Sequence, residues 1–288
     1  NTSVKLIAFA GKEKTYHAWG YATKEEMEKF GRRYNPCGEM YTDADGNKHY
    51  YTDQTDNYLQ KNYQLLLNHS FSTAWNLNVA LHYTKGDGYY EEYKPGSSLV
   101  EYGLKPFNPD GTETNESDLV RQKKMDNKFG GGVFSLNYTG NRLTASLGGG
   151  LNRYRGNNFG KVTWVKNYIG NLSPEHEYYR NKSKKTDGNI YLKANYDLTS
   201  TLSAYADLQY RHIDYTIDGV NDKYDWNKNA LRPLAVDKKF DFFNPKVGLN
   251  WNITPNHRLY ASFSVAQKEP TRNNYTDGDP DSYPKAEK

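Results

Sequence analysis

Long apolar runs are missing from this 288-residue chain. None approaches the roughly 18 consecutive apolar residues that a spanning helix needs, so no helix of it crosses a bilayer. Apolar residues make up only 36% of it, and mean hydropathy is -1.00, which leaves little dry core per residue. Cysteine is nearly absent: Cys37 is alone, so no internal disulfide framework exists. The seven histidines (17, 49, 69, 82, 176, 212 and 257) show no metal spacing such as His-x-x-x-His. Charge of one sign is missing too. The 38 basic and 34 acidic residues are interspersed and net to +4, whereas phosphate-backbone binding needs clustered Lys and Arg; nucleic acid is excluded as a partner. Two tight basic groups, Arg121-Gln-Lys-Lys124 and Lys182-Ser-Lys-Lys185, each precede a strand and read as solvated loop bases. No Ser/His/Asp or paired-carboxylate arrangement stands out, and Gly130-Gly-Gly132 and Gly148-Gly-Gly150 lack the helix and Lys-Ser/Thr of a phosphate loop. An enzyme is not expected. No signal peptide opens the chain, which starts on the strand-like Val4-Lys-Leu-Ile-Ala-Phe-Ala10 and reads as a segment of a longer protein.

Aromatics are abundant, at 15%, with 27 Tyr and 5 Trp, and a disordered chain would lack them. Their setting is strand alternation. Trp75, Leu77, Val79, Leu81 and Tyr83 share one face while Asn76, Asn78, Ala80, His82 and Thr84 share the other, because a strand reverses its side chains at every residue. This arm and the preceding one, near Asn57 to Phe71, meet at the short turn Ser72-Thr73-Ala74. The unit recurs around Thr139-Gly-Asn-Arg142, Thr199-Ser-Thr201 and Thr254-Pro-Asn256. With the first arm, from about Ser3 to Trp19, that predicts about nine strands. The other connections read as long loops, near residues 20–56, 94–125, 156–185 and 218–238; within the first, Lys24-Glu-Glu-Met-Glu-Lys-Phe30 has the spacing of two helical turns.

Alternation alone fits either a soluble sandwich or a membrane barrel. Two features favour the barrel. Phe71, Trp75, Tyr138, Tyr196 and Trp251 lie within a few residues of a short turn, where an interfacial girdle sits. Short turns alternate with long loops, as periplasmic and extracellular ends do. The expected fold is an all-β, antiparallel, up-and-down transmembrane β-barrel segment of about nine strands in the bacterial outer membrane. Asn76, Asn78, His82, Ser203, Asp207, Gln209 and Arg211 would then face the barrel interior.

Several phrases resemble the barrel of TonB-dependent outer-membrane receptors of the Bacteroidetes type: Lys12-Glu-Lys-Thr-Tyr-His-Ala-Trp19, Tyr34-Asn-Pro36, Asp53-Gln-Thr-Asp-Asn-Tyr58, Ala80-Leu-His-Tyr-Thr-Lys-Gly-Asp-Gly-Tyr-Tyr-Glu-Glu-Tyr93, Ala206-Asp-Leu-Gln-Tyr-Arg-His212, Phe242-Phe-Asn-Pro-Lys-Val-Gly248 and Gln267-Lys-Glu-Pro-Thr-Arg272. They span nearly the whole chain, and none is a catalytic motif. The resemblance implies a 22-stranded barrel filled by an N-terminal plug, with a TonB box ahead of it; residues 1–288 would be part of that one barrel domain, without plug or remaining strands. It implies TonB-dependent uptake of a scarce nutrient: siderophore or haem iron, or a corrinoid. A glycan importer with a surface lipoprotein is the alternative, and a soluble all-β carbohydrate-binding module another. Partners would be the TonB complex, the lipid bilayer and a small-molecule ligand.

Candidate ligand contacts are the aromatics of the expected extracellular loops, since Tyr and Trp give rigid area with a polar tip: Tyr34, Tyr50, Tyr89, Tyr90, Tyr93, Trp164, Tyr168, Tyr178 and Trp226. Packing of loop on loop is the ordinary reading of any one of them. Asp277, Asp279 and Asp281 alternate in a way that suits a hard cation such as calcium, but the Gly and bidentate Glu of an EF-hand loop are missing, so a solvated turn is the simpler reading. No other cofactor is expected.

Overall fold

A computed structural model describes residues 1–107, 113–169, 172–173, 176–278 and 284–287. Nine strands form one antiparallel sheet in the order β1-β4-β5-β6-β7-β8-β9-β10-β11. They are β1 (Thr2–Tyr16), β4 (Thr55–Ser70), β5 (Trp75–Ser98), β6 (Glu116–Thr139), β7 (Leu143–Val165), β8 (Glu177–Asp197), β9 (Leu202–Asp225), β10 (Ala230–Thr254) and β11 (His257–Ser264). Between β1 and β4 lie α1 (Lys24–Phe30) and the small hairpin β2 (Glu39–Thr42) and β3 (Lys48–Tyr50); α2 (Arg272–Thr276) follows β11. The helix α1 forms where the sequence spacing places it, closed at its start by a reciprocal cap between Thr23 and Glu26 and at its end by Gly31 at φ 87°.

The expected nine strands and four short turns are present, and three of the turns share a chemistry. Ser72 Oγ accepts from the amides of Ala74 and Trp75, Thr199 Oγ1 from those of Thr201 and Leu202, and Thr254 Oγ1 from that of Asn256. A short hydroxyl side chain thus supplies the acceptor that reverses the chain.

The long connections differ from expectation. The segments read as loops at 94–125, 156–185 and 218–238 are mostly strand: the true connections are residues 99–115, 166–176 and 226–229. The reason is physical. Alternation is visible only where one face needs apolar side chains, but the backbone ladder continues wherever its N–H and C=O groups find partners. Lys128 pairs with Arg155 and Gln122 with Lys161 in one unbroken register. Arg121-Gln-Lys-Lys124 and Lys182-Ser-Lys-Lys185 therefore lie within β6 and β8, not in loops.

The two faces of the sheet carry different chemistry. The register aligns Leu77, Leu136, Leu147, Leu192 and Leu208 across five strands. On the same face Leu81 is 51% and Leu249 50% exposed. A continuous exposed leucine surface of this kind requires an apolar solvent. The rings of Trp75 and Tyr138 meet at 4.9 Å beside the short turns, and those of Tyr63 and Tyr83 stack at 6.5 Å toward the other end. The opposite face is hydrogen-bonded side chain to side chain: Asn68 donates to Asn78 at 2.5 Å and Asn78 to Ser135 at 3.3 Å, and His82 shares a bond with Asn152 at 2.8 Å. This inward face carries Asn76, Asn78, His82, Ser203, Asp207, Gln209 and Arg211, as alternation predicts.

The glycine triplets permit close strand contact. A Cβ on Gly131 would lie 2.4 Å from the Leu151 carbonyl oxygen, and one on Gly149 would lie 2.5 Å from that of Asn189.

Candidate functional site

Buried apolar groups concentrate at the end of the sheet remote from the short turns. Leu99, Tyr102, Leu119, Val162, Tyr178 and Tyr179 form one cluster; Ile213, Tyr215, Ile217, Leu234 and Phe242 form another, covered by Tyr275. Between them, on the inward face, is a cavity of about 270 Å³ lined by Tyr58, Tyr90, Lys123, Tyr179, Asp222 and Arg272, among others.

Alternation through Arg121-Gln-Lys-Lys124 directs Arg121 and Lys123 inward and Gln122 and Lys124 outward. Arg121 Nε donates to Glu92 at 2.9 Å and its guanidinium reaches Tyr102 Oη at 3.2 Å. Lys123 is paired with Asp222 and lies 5.6 Å from the Tyr90 ring centroid. Burial and the adjacent Arg121 guanidinium push Lys123 down, but Tyr90 and Asp222 outweigh them and hold its ammonium above the usual range. Burial likewise works to raise Asp222, and Lys123 outweighs it, so this carboxyl stays below its ordinary value. The wall of the cavity is therefore ionised but internally paired. Tyr178 and Tyr179 fall at a register shift beside Gly160 and Lys161, which brings both rings into the cluster; burial pushes both phenols up. A Cβ at Gly160 would strike both rings, at 2.3 and 2.4 Å, so Gly160 makes room for them.

The segment after β11 folds back over the inward face. Glu269 binds Lys185 at 2.5 Å and Arg211 at 2.9 Å, and Arg211 also holds Asp187 at 2.5 Å. Arg272 donates to Asn181 at 3.0 Å, and the Thr276 carbonyl accepts from Asn221 at 2.7 Å. One side of the cavity is thus built by α2.

The aromatics expected to share one loop surface are divided among several places, and six of them are strand residues. Tyr90 faces the cavity and is packed edge-on by Trp19 at 5.4 Å and His17 at 5.8 Å. Tyr178 belongs to the apolar cluster, against Tyr102 at 4.8 Å. Tyr89, Tyr93 and Trp164 lie on the outward face: Lys124 sits 4.4 Å from the Tyr89 ring centroid, while Tyr93 donates to Asp118 at 2.7 Å and stacks on Trp164 at 6.3 Å. Tyr34 and Tyr50 line a separate open pocket of about 520 Å³ with Tyr16 and Tyr51. Tyr168 packs on Phe107 at 5.2 Å, and Trp226 is exposed in the turn after β9, against Tyr224 at 4.9 Å. Asp279 and Asp281 lie outside the described residues; Asp277 pairs with Lys223 at 3.2 Å. Among the described residues no group of three or more His, Cys, Asp or Glu is placed to hold a metal ion.

Sequence reasoning missed Lys123, Asn181, Asp222 and Arg272, which line the cavity, and Arg121, which stands beside Lys123. The signal was available for Arg121 and Lys123, whose spacing of two puts them on one strand face. Nothing local marks Asp222 or Arg272, which arrive from elsewhere in the chain. Cys37 is buried, and its Sγ accepts from the Gly20 amide at 3.1 Å.

The fold has solved relatives. The ferric-catecholate import receptor Fiu from E. coli, in a closed form, superposes with a TM-score of 0.60 at 13% identity, covering 95% of this chain and 42% of that one. The siderophore receptor PiuA from Acinetobacter baumannii gives 0.57 at 10% identity, covering 96% and 41%. The chain thus spans under half the length of the receptors it matches. No curated protein sequence matches it. The family described as TonB dependent receptor-like, beta-barrel, matches residues 11–287, and the chain belongs to that family of TonB-dependent receptors.

Proposed function

We propose that this chain is part of the wall of an outer-membrane receptor that captures a scarce nutrient at the cell surface and admits it under TonB control, through the plug and TonB box that the family carries ahead of its barrel. The observation that supports this most is the pairing of an exposed apolar outer face with an inward cavity at the far end from the short turns. A wall of this kind sits in lipid and presents its cavity to the aqueous interior. The favoured cargo is a ferric siderophore, with haem or a corrinoid next. The rings of Tyr58, Tyr90 and Tyr179 beside Lys123 and Arg272 suit a flat, oxygen-rich chelate, and the named cargo of Fiu is ferric catecholate.

A second reading has its own support. The same cavity is lined by Asn57, Asn158, Asn181, Asn221 and Asn273, amides that suit sugar hydroxyls, and a glycan cargo would bring a surface lipoprotein as partner. The test is growth of a strain lacking the receptor gene on limiting ferric catecholate, ferric hydroxamate, haem, cobalamin or glycan, with and without TonB. Loss of TonB-dependent growth on an iron source or cobalamin supports the first reading. A defect on glycan alone supports the second, and no defect on any of them removes both.

A further inference from the structure

The outward face carries an array that neither uptake nor the apolar band accounts for. Lys61 is the cross-strand partner of Lys85, Lys85 of Lys128, Lys128 of Arg155 and Arg155 of Lys184. Five cations therefore stand directly opposite one another on β4, β5, β6, β7 and β8. All five are exposed, and none is joined to a carboxylate by an ion pair among the described residues. Directly opposed like charges destabilise a sheet, so an unbroken row of them is unfavourable unless an anion lies against it.

The row's height says which anion. Lys61 and Lys85 are the next outward residues beyond the stacked pair Tyr63 and Tyr83. From Trp75, at the short-turn end, to Lys85 is ten residues along β5. At about 3.4 Å per residue and a tilt of about 35–45°, that is a rise of about 24–28 Å, the height of the apolar band. Tilt also makes the row oblique, climbing about 3 Å per strand, or about 12 Å from Lys61 to Lys184. Ala194 of β8 shares the perpendicular row of Trp75 yet already stands several residues above its own turn, so the climb is away from the bilayer centre. The cations thus start at the upper border of the apolar band and rise through the headgroup layer. Two carboxylates, Asp87 and Asp126, stand opposite each other one outward row beyond, on the side away from the apolar band.

We propose that the ladder Lys61–Lys85–Lys128–Arg155–Lys184 is a binding site for the phosphorylated headgroup of an anionic lipid in the outer leaflet. Its acyl chains lie on the leucine face below and its phosphates lie across the row. This rests on the outer-membrane placement of the wall and not on the identity of the cargo.

The test uses the complete receptor in neutral detergent, without cargo or TonB. The probes are a bisphosphorylated glycolipid, the same lipid with its phosphates removed, and inorganic phosphate. The variant is Lys85→Gln/Lys128→Gln/Arg155→Gln. At about a tenfold effect per one to two basic residues at an anionic surface, the variant should bind the phosphorylated lipid about tenfold or more weakly. The dephosphorylated lipid should bind wild type and variant alike, and inorganic phosphate should not compete. The variant's melting temperature without lipid should match or exceed that of wild type, because repulsion has been removed. Equal retention of the phosphorylated lipid by wild type and variant overturns the proposal. Competition by inorganic phosphate alone overturns the lipid as its source, and neither outcome bears on which nutrient is carried.

Discussion

Replacing Glu269 by alanine should release the segment that follows β11 from the inward face. Glu269 is about nine-tenths buried and holds both Lys185 and Arg211. Its loss strips Lys185 of its partner but leaves Arg211 its bonds to Asp187. Breaking a fully buried pair costs about 3–5 kcal/mol; because Lys185 and Arg211 remain partly exposed, about 1–3 kcal/mol is the appropriate scale here. Docking of residues 267–277 should weaken by about 5- to 150-fold. Hydrogen exchange of those amides in the complete receptor measures it, with β4 and β5 as the unchanged reference. Acidity gives a second readout. Burial works to raise the Glu269 carboxyl, but Lys185 and Arg211 outweigh it and hold it below its ordinary value of 4.5. A depressed carboxylate contributes its stability fully above the unfolded value and loses it as pH falls through the folded one. Protection should therefore be flat from pH 7 to about 5 and drop below about 4. Unchanged exchange in Glu269→Ala, or protection that falls between pH 7 and 5 in wild type, would refute the clamp.

Three further outcomes follow from particular contacts. Lys123→Met should lower thermal stability by about 1–3 kcal/mol by leaving Asp222 unpaired, and Lys123→Met/Asp222→Leu should recover part of it in a double-mutant cycle; additive losses would contradict the pair. Gly131→Val should cut the yield of folded, heat-modifiable barrel several-fold, since its Cβ would meet the Leu151 carbonyl oxygen at 2.4 Å, whereas Gly11→Val, where nothing is within 4 Å, should fold normally. His17 is 2% exposed with neither ring nitrogen bonded and is stacked on Trp19 at 3.7 Å; burial holds its pKa below the ordinary value of 6.5. Its protonation thus favours the unfolded state, so acid below about pH 6 should destabilise wild type more than His17→Phe, as read by melting at pH 5 and 7.

How much was legible depended on which face a residue served. Trp75, Leu77, Val79 and Leu81 announced a strand because lipid demands apolar side chains at alternate positions. Above Tyr83 that demand ends, so Lys94 to Ser98 and Asp218 to Asp225 looked like loop although their backbones remain in strands. The same loss of signal hid the cavity. Tyr90 was singled out as an aromatic, but its difference from Tyr89 lies in parity along the strand. Arg121 and Lys123 were read as solvated for want of a visible strand, and their partners Glu92 and Asp222 are 29 and 99 positions away in the chain. The segment holding Glu269 and Arg272 carries no periodicity, because it is fixed by ion pairs to the wall and not by a repeating face.

The central claim is that β5 stands in a membrane with its odd-numbered residues toward lipid. Spin labels placed singly from residue 75 to 85 in the membrane-embedded receptor test it, read by accessibility to oxygen and to a water-soluble nickel chelate. Oxygen access should show a period of two, high at 77, 79, 81 and 83, and give way to nickel access at 85. Nickel access at 77, 79, 81 and 83, or no period of two, would contradict that placement.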